Sequence, residues 1–212
     1  MYEYVYFARP DSILDGNEVY SFRQRAGELL AKACPADADI VCAVPDGGTN
    51  FAQGYASASG LPLRVGVMKN KFSSRNLFSR DEEGRARAIN LKYNVLRPTV
   101  NGKRVVLVDD SLMKGNTARH LISMLKKAGA KEVHLRVGSP RILHYCLYGV
   151  QMPKESELLA AGGATVEDMC RKLGCDSIGF LPIESLKETG LNPQYCYCTS
   201  CFDRKTHLKV DK

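Results

Sequence analysis

The fold of this 212-residue chain is decided by the stretch Arg104-Val-Val-Leu-Val-Asp-Asp-Ser-Leu-Met-Lys-Gly-Asn-Thr117. Its apolar, β-branched beginning predicts a strand that is buried on both faces and ends in two aspartates. After a polar loop, the apolar spacing predicts an amphipathic helix over 118–128, capped by Gly129. Alternation over 133–137 predicts another strand. In such a unit the loop lies at the carboxyl end of a parallel strand, where open α/β sheets bind ligands.

The loop after this strand carries groups that suit a phosphorylated sugar. Backbone N–H groups at the helix start form an anion site, and nearby side chains add donors. Two adjacent carboxylates suit sugar hydroxyls or a hard cation such as Mg²⁺. An ordinary α/β unit with a polar loop is the alternative. The predicted anion ligands are Ser111, Lys114, Gly115, Asn116 and Thr117, and the predicted carboxylates are Asp109 and Asp110.

The same loop resembles the phosphoribosyl pyrophosphate (PRPP) loop of type I phosphoribosyltransferases, and in particular that of the amidophosphoribosyltransferase family. Further stretches resemble this family in the expected order, at residues 6–12, 44–48, 68–72 and 174–181. The resemblance covers nearly the whole chain. It implies an α/β fold with a mostly parallel sheet and helices on both faces, forming one phosphoribosyltransferase domain over residues 1–212.

The resemblance implies catalytic roles for three side chains. Asp109 and Asp110 would hold the ribose hydroxyls together with Mg²⁺, and Lys69 would complete the catalytic set. In the family, the segment after this lysine closes over PRPP, so the polar residues 70–84 predict a lid. Two further basic PRPP ligands are predicted at Arg85 and Lys92.

A second loop, at residues 45–48, resembles the family's pyrophosphate loop. Consecutive glycines let the backbone approach an anion, and the following helix start adds N–H donors. Without the resemblance, a routine strand-to-helix turn would be the better interpretation. The family usually has serine at position 47, so this chain lacks a hydroxyl there but retains backbone recognition. The predicted ligands are Asp46, Gly47 and Gly48.

The remaining elements follow from periodicity and turn residues. Helices are predicted over 19–33, 49–59, 156–161 and 165–173. Strands are predicted over 2–7, 40–44, 63–67, 95–100 and 178–181, with a turn over 9–12 and a hairpin turn at 101–102.

The tail is rich in cysteine, and Cys198 and Cys201 have a spacing that is common among metal ligands. Some amidophosphoribosyltransferases hold a structural [4Fe–4S] cluster by such a pair and two distant cysteines, one of which Cys146 matches. The other distant ligand would precede residue 1. We therefore favour ordinary thiols over an iron–sulfur cluster.

Composition narrows the class of protein. Apolar residues make up 44% and charged residues 25% of the chain, which is typical of a globular domain. The net charge of +7 is scattered, so it suits a polyanionic small substrate better than nucleic acid. No apolar stretch reaches membrane-spanning length, and the first residues lack a signal-peptide pattern. These features predict a cytoplasmic protein without membrane contact.

The implied function is transfer of phosphoribose from PRPP to ammonia, giving 5-phosphoribosylamine and pyrophosphate, as in purine synthesis. No glutaminase domain is expected within these residues, so a separate glutaminase subunit would supply ammonia from glutamine, and a homo-oligomer is expected. Departures from the family at Asn116, Arg141 and Gln151 leave a different amine acceptor open. A non-catalytic regulator that binds PRPP or a nucleotide is the third hypothesis.

Overall fold

The computed structural model describes residues 1–70, 92–146 and 148–205. The strands are β1 (Ile13–Leu14), β2 (Asn17–Glu18), β3 (Ile40–Ala43), β4 (Val67–Lys69), β5 (Tyr93–Val95), β6 (Arg104–Asp109), β7 (Glu132–Val137) and β8 (Ser177–Phe180). The α-helices are α1 (Val19–Ala33), α2 (Thr49–Ser59), α3 (Arg97–Val100), α4 (Asn116–Lys127), α5 (Val166–Leu173) and α6 (Ser200–Asp203). A π-helical turn spans Glu3–Phe7, and 3₁₀ turns span Glu155–Glu157 and Ile183–Glu188.

A parallel four-stranded sheet in the order β3-β6-β7-β8 forms the centre of the fold. The register of β3 against β6 runs from Ile40 opposite Val105 to Ala43 opposite Val108. Two antiparallel pairs, β1 with β2 and β4 with β5, lie outside this sheet. Because β3 and β6 are adjacent and end at the same edge, the loops that follow them lie side by side.

Alternate residues of β6 face two separate hydrophobic layers, because successive side chains of a strand point to opposite faces. Val105 and Leu107 belong to the layer that includes α4 and α5. Val106 and Val108 belong to the layer that includes α1 and α2. All four side chains are fully buried. The predicted strand with two buried faces is therefore confirmed, as are the helices on both sides of a parallel sheet.

The helix predictions that rest on long apolar periodicity are also confirmed. Helices α1 and α2 have the predicted bounds, and α2 ends at Gly60 in the left-handed conformation, with φ +73°. Helix α4 starts two residues before the predicted position, and Gly129 follows it with φ +98°. No helix within the described residues is long and apolar enough to cross a bilayer.

The edge strand predicted over residues 2–7 is wrong, because Glu3–Phe7 forms a π-helical turn. The guanidinium of Arg23, on α1, donates to the carbonyl oxygens of Tyr4 and Ala8 at 2.8 Å each. These contacts with α1 hold the backbone in a turn. They override the high β-propensity of the tyrosine and valine side chains.

Two predicted strands differ from the structure. Over 63–67, a single parallel bridge joins Leu63 to Val41, and the strand β4 begins only at Val67. Over 95–100, β5 ends at Val95 and a helical turn follows. Pro98 lies in the first turn of that helix. Backbone N–H groups in a first turn have no acceptor within the helix, so proline, which lacks this group, breaks no hydrogen bond there.

Two connections also differ from prediction. Gly102 adopts φ +72°, so residues 101–102 do form a turn. This turn joins α3 to β6, however, and β5 and β6 do not pair, so it is not a hairpin. The helix predicted over 156–161 is reduced to the 3₁₀ turn Glu155–Glu157. This three-residue turn is too short for the helical spacing of apolar side chains on which the prediction relied.

The cap of α5 gives a testable stability effect. The Thr165 hydroxyl accepts from the Asp168 N–H at 3.1 Å, and the Asp168 carboxylate accepts from the Thr165 N–H at 3.3 Å. Thr165→Ala should lower the free energy of unfolding by about 1 kcal/mol, measured by urea denaturation. Ser156→Ala, which removes an exposed hydroxyl, is the control. Equal effects of the two substitutions would show that the cap contributes nothing.

Candidate functional site

Two adjacent aspartates mark the end of β6: Asp109 is its last residue, and Asp110 follows directly. Asp109 is half-buried and Asp110 is only 6% exposed. The Asp110 N–H donates to Asp109 Oδ1 at 3.0 Å, and the Ser111 hydroxyl donates to Asp110 Oδ1 at 2.7 Å. Burial, and then repulsion from Asp110, raises the pKa of Asp109 well above its usual range. Burial raises the pKa of Asp110 to about 6. The pair therefore favours a ligand that brings positive charge or hydrogen-bond donors.

The loop then enters α4 at Gly115, a position that accepts only glycine. Gly115 has φ +79°, and a Cβ there would lie 2.8 Å from Leu173 Cδ2. Asn116 is exposed and Thr117 is half-buried at the first two positions of the helix. The backbone N–H groups at this helix start can bind a phosphate. The start of α4 thus offers backbone donors to an anion close to the carboxylate pair, and the binding of PRPP by this loop stays a prediction.

Lys114 differs from the other predicted phosphate ligands. Its side chain is exposed, and its ammonium group forms an ion pair with the Glu157 carboxylate. To reach a phosphate bound at the start of α4, this ammonium would have to leave Glu157. Its role as a PRPP ligand stays a prediction.

The glycine loop after β3 lies against the Asp110 carboxylate and the backbone at the end of β6. A Cβ at Gly48 would overlap the carbonyl oxygen of Val108, so the loop backbone lies directly against β6. A Cβ at Gly47 would overlap Asp110 Oδ2. The serine usual in the family at position 47 therefore does not fit this arrangement. The peptide bond between Pro45 and Asp46 is cis, and the Asp46 side chain is exposed.

Basic side chains reach the same place from β4 and from the residue before β5. Lys69 lies opposite Tyr93 in this antiparallel pair, and its ammonium forms an ion pair with Asp46. The charge of Lys92 favours the ionised form of Asp109. Burial, and then the carboxylates of Asp109, Asp46 and Asp110, raises the pKa of Tyr93 to about 12. Both predicted lysines are thus near the carboxylates, whereas Arg85 and the predicted lid beyond Asn70 lie outside the described residues.

Sequence reasoning missed three residues at this site: Tyr2, Arg23 and Tyr93. The Tyr2 hydroxyl lies 3.1 Å from Ser111 Oγ. Arg23 is buried, and its charge favours the ionised form of Asp110. One signal was present in the sequence, because Arg23 occupies the apolar face of α1 between Val19 and Ala26. A buried charge at such a position needs a nearby partner.

The three predicted cluster cysteines lie in neighbouring segments. The N–H groups of Leu143 and His144 donate to the Cys201 carbonyl oxygen at 2.9 and 3.1 Å. Burial, and then the nearby thiols of Cys146 and Cys198, raises the pKa of Cys201 to about 12. Across residues 1–70, 92–146 and 148–205, no group of three His, Cys, Asp or Glu side chains is arranged to hold a metal ion. An iron–sulfur cluster at these cysteines has no support in the described part of the chain.

Residues 15–137 match the profile of the phosphoribosyl transferase domain. The chain belongs to this family. The chain is 47% identical over 212 residues to an amidophosphoribosyltransferase of Methanocaldococcus jannaschii, and 45% identical over 212 residues to that of Archaeoglobus fulgidus. These alignments cover 100% and 99% of the chain but 44% and 46% of the relatives. The chain thus spans about half the length of the curated relatives it matches.

A solved structure agrees with the sequence comparison. The chain superposes on glutamine PRPP amidotransferase from B. subtilis, complexed with ADP and GMP, with a TM-score of 0.86 and 39% identity. The match covers 96% of this chain and 45% of that chain. The predicted type I phosphoribosyltransferase fold is therefore confirmed.

Proposed function

We propose that this phosphoribosyl transferase domain transfers phosphoribose from PRPP to ammonia, releasing pyrophosphate and forming 5-phosphoribosylamine. One observation carries the proposal: three ligand-binding features converge where β3 and β6 end. They are a buried carboxylate pair, a helix start suited to phosphate and a glycine loop in contact with the carboxylates. The similarity to amidophosphoribosyltransferases supports ammonia as the acceptor.

Each feature would hold a different part of PRPP. The N–H groups at the start of α4, from Gly115 to Thr117, would bind the 5-phosphate. Asp109 and Asp110 would accept hydrogen bonds from the ribose hydroxyls, since ionised carboxylates are strong acceptors. The backbone at 46–48 would bind pyrophosphate. Lys69 would exchange its contact with Asp46 for a contact with the same pyrophosphate.

The carboxylate pair also fits Mg²⁺ that arrives with the substrate. The raised pKa values of Asp109 and Asp110 reflect buried negative charge that a cation would compensate. Mg²⁺ is commonly held by one or two carboxylates together with substrate phosphates and water, so two protein ligands suffice. When bound, the ion would supply neutralising charge for the pyrophosphate group.

The reaction needs little covalent chemistry from the protein. The bond between the anomeric carbon and a pyrophosphate oxygen breaks, and the ammonia nitrogen bonds to the same carbon with inversion. The new ammonium nitrogen then loses one proton to water, which gives the amine. Donors at 46–48 and the Lys69 ammonium would stabilise the departing negative charge. Asp109 and Asp110 would stabilise positive charge that develops on the ribose. Exclusion of water would suppress hydrolysis of PRPP.

An assay of pyrophosphate release tests the proposal. Purified protein would be incubated with PRPP, Mg²⁺ and one of four acceptor samples: ammonium, glutamine, an organic amine or a free purine base. Pyrophosphate release that requires ammonium, with formation of phosphoribosylamine, is expected. Release that requires an organic amine or a base would favour a different acceptor. Tight PRPP binding without release would favour a regulator.

The ammonia source and the assembly state belong to the same proposal. A separate glutaminase subunit would supply ammonia from glutamine, and the domain would form a homo-oligomer. Light scattering of the purified protein measures its mass in solution. A mass equal to that of one 23.4 kDa chain would reject the oligomer.

Lys69→Ala should lower kcat/KM for PRPP by about 10- to 100-fold, the usual effect of losing a charged hydrogen bond. The reason is that its ammonium reaches the pyrophosphate loop at Asp46. Lys131→Ala is the matched control, since Lys131 is exposed just before β7, at the opposite edge of the sheet. If both variants turn over PRPP at the wild-type rate, Lys69 has no part in the reaction.

A further inference from the structure

A chain of hydroxyl groups leads from the N-terminal segment to Asp110. The Ser111 hydroxyl has one hydrogen, and it donates that hydrogen to Asp110 Oδ1 at 2.7 Å. The Tyr2 hydroxyl, 3.1 Å from Ser111 Oγ, must therefore be the donor in the contact between them. The Tyr2 side chain is only 7% exposed, and a donor chain of this kind is strengthened where water is excluded.

The Tyr2 ring is itself held firmly. The N–H groups of Tyr4 and Val5 donate to the Met1 carbonyl oxygen at 3.0 and 3.3 Å, which closes the turn around Tyr2. The ring packs edge-on against Phe7, with 5.5 Å between centroids. Arg23 fixes the turn to α1 through the carbonyl oxygen of Tyr4. The hydroxyl of Tyr2 is thus a donor at a defined position rather than a mobile surface group.

The second oxygen of Asp110 is constrained by a different residue. Asp110 Oδ2 occupies the space that a Cβ at Gly47 would fill. Ser111 therefore fixes one oxygen, and the absence of a side chain at Gly47 makes room for the other. A side chain at position 47 and this orientation of Asp110 exclude each other.

We infer that Tyr2 is a positioning residue for Asp110, acting through Ser111, and that Gly47 provides the space that this orientation requires. The inference deepens the proposed function and rests on it, since Asp110 is one of the groups proposed to hold PRPP. Tyr2 need not touch the substrate. It sets the direction in which the Asp110 carboxylate presents its oxygens to the ribose hydroxyls and Mg²⁺.

A double-mutant cycle tests the role of Tyr2. Tyr2→Phe removes only the hydroxyl and should weaken PRPP binding, measured by calorimetry with Mg²⁺, by about 3- to 10-fold. KM for PRPP should rise by the same factor. In the Ser111→Ala background, Tyr2→Phe should change affinity by less than about twofold, because the link to Asp110 is already broken. Tyr20→Phe, which alters an exposed hydroxyl on α1 that accepts from Gln24, should leave affinity unchanged.

The outcomes separate this inference from the proposed function. Equal losses from Tyr2→Phe in both backgrounds would show that the Tyr2 hydroxyl acts independently of Ser111 and would overturn the inference. Wild-type affinity in Tyr2→Phe would overturn it as well, while leaving the proposed function intact. A wild-type protein that neither binds nor turns over PRPP would instead reject the proposed function, and the inference with it.

A second variant tests the role of Gly47. Gly47→Ala should weaken PRPP binding by more than about tenfold, since its Cβ must displace the Asp110 carboxylate. A crystal structure of this variant should show the carboxylate turned away from the Ser111 hydroxyl. An Asp110 side chain that keeps its contact with Ser111 in Gly47→Ala would overturn this part of the inference.

Discussion

Replacing either site aspartate by asparagine, as Asp109→Asn or Asp110→Asn, should lower PRPP turnover by about 10²- to 10³-fold while the protein stays folded. Asparagine keeps the size of the side chain but loses the charge that would hold ribose hydroxyls and stabilise positive charge on the sugar. Losing one well-placed electrostatic contact in an active site commonly has an effect of this size. The measurement is steady-state pyrophosphate release, with circular dichroism to confirm folding.

The control for these variants is Asp37→Asn. Asp37 is an exposed partner of Arg104 at the opposite end of β6, so its loss should leave turnover within about twofold of wild type. If Asp109→Asn and Asp110→Asn both retain near-normal activity, the site assignment is wrong. A loss in only one of them would mean that the two carboxylates do not act as a pair.

The same Asp110→Asn protein should be more stable than wild type above about pH 6 when Mg²⁺ is removed with EDTA. Burial raises the pKa of Asp110 from 3.8 to about 6, so the folded state binds the proton more tightly than the unfolded state does. The stability from this group is present below about pH 4 and is lost as pH rises to 6. A rise of about two pKa units corresponds to a change of at most about 3 kcal/mol in the free energy of unfolding. Urea unfolding should therefore show a difference between variant and wild type that grows from pH 4 to pH 7. A difference independent of pH would contradict the burial of an ionisable Asp110.

Periodicity in the sequence was enough to predict β6, α4 and the layers around them. Four consecutive apolar residues in β6 need burial on both faces, and the spacing in α4 leaves one face for the core. These signals are local, because they depend only on the side chains within each element. The bounds of α1 and α2 were predictable for the same reason, helped by Gly60 at the end of α2.

The parts that could not be predicted depend on contacts between distant residues. The turn Glu3–Phe7 exists because Arg23 binds its carbonyl oxygens, and nothing within the turn itself indicates that contact. The candidate site likewise depends on a contact between residues that are distant in the sequence. The loop after β6 was predicted from its own residues and the loop after β3 from its resemblance to the family, yet the contact between Gly47 and Asp110 depends on the pairing of β3 with β6. The resemblance marked position 47 as a departure, and only the structure gives its physical reason.

The second large effect concerns the acceptor. With PRPP saturating and ammonium limiting, the rate at a fixed total ammonium concentration should rise roughly tenfold for each pH unit from pH 7 to about 9. Only unprotonated ammonia has a lone pair to attack the anomeric carbon, and its conjugate acid has a pKa near that of a lysine side chain, about 10. Pyrophosphate release at several ammonium concentrations and pH values measures this slope.

The protein's own titrating groups should contribute little to that slope. Burial raises the pKa of Tyr93 to about 12, so Tyr93 stays neutral from pH 7 to 9, and Asp110, with a pKa of about 6, is ionised. The pKa of Asp109 is raised well above its usual range in the free protein, and the positive charge of Mg²⁺ bound with saturating PRPP would hold this carboxylate ionised. Rates plotted against the concentration of unprotonated ammonia should then fall on one curve. Because residues 1–212 are predicted to hold no glutaminase, glutamine alone should give no product. Activity with ammonia-free glutamine would contradict that prediction. A response to ammonium that is flat with pH, beside strong activity with an organic amine, would mean that the acceptor differs from ammonia.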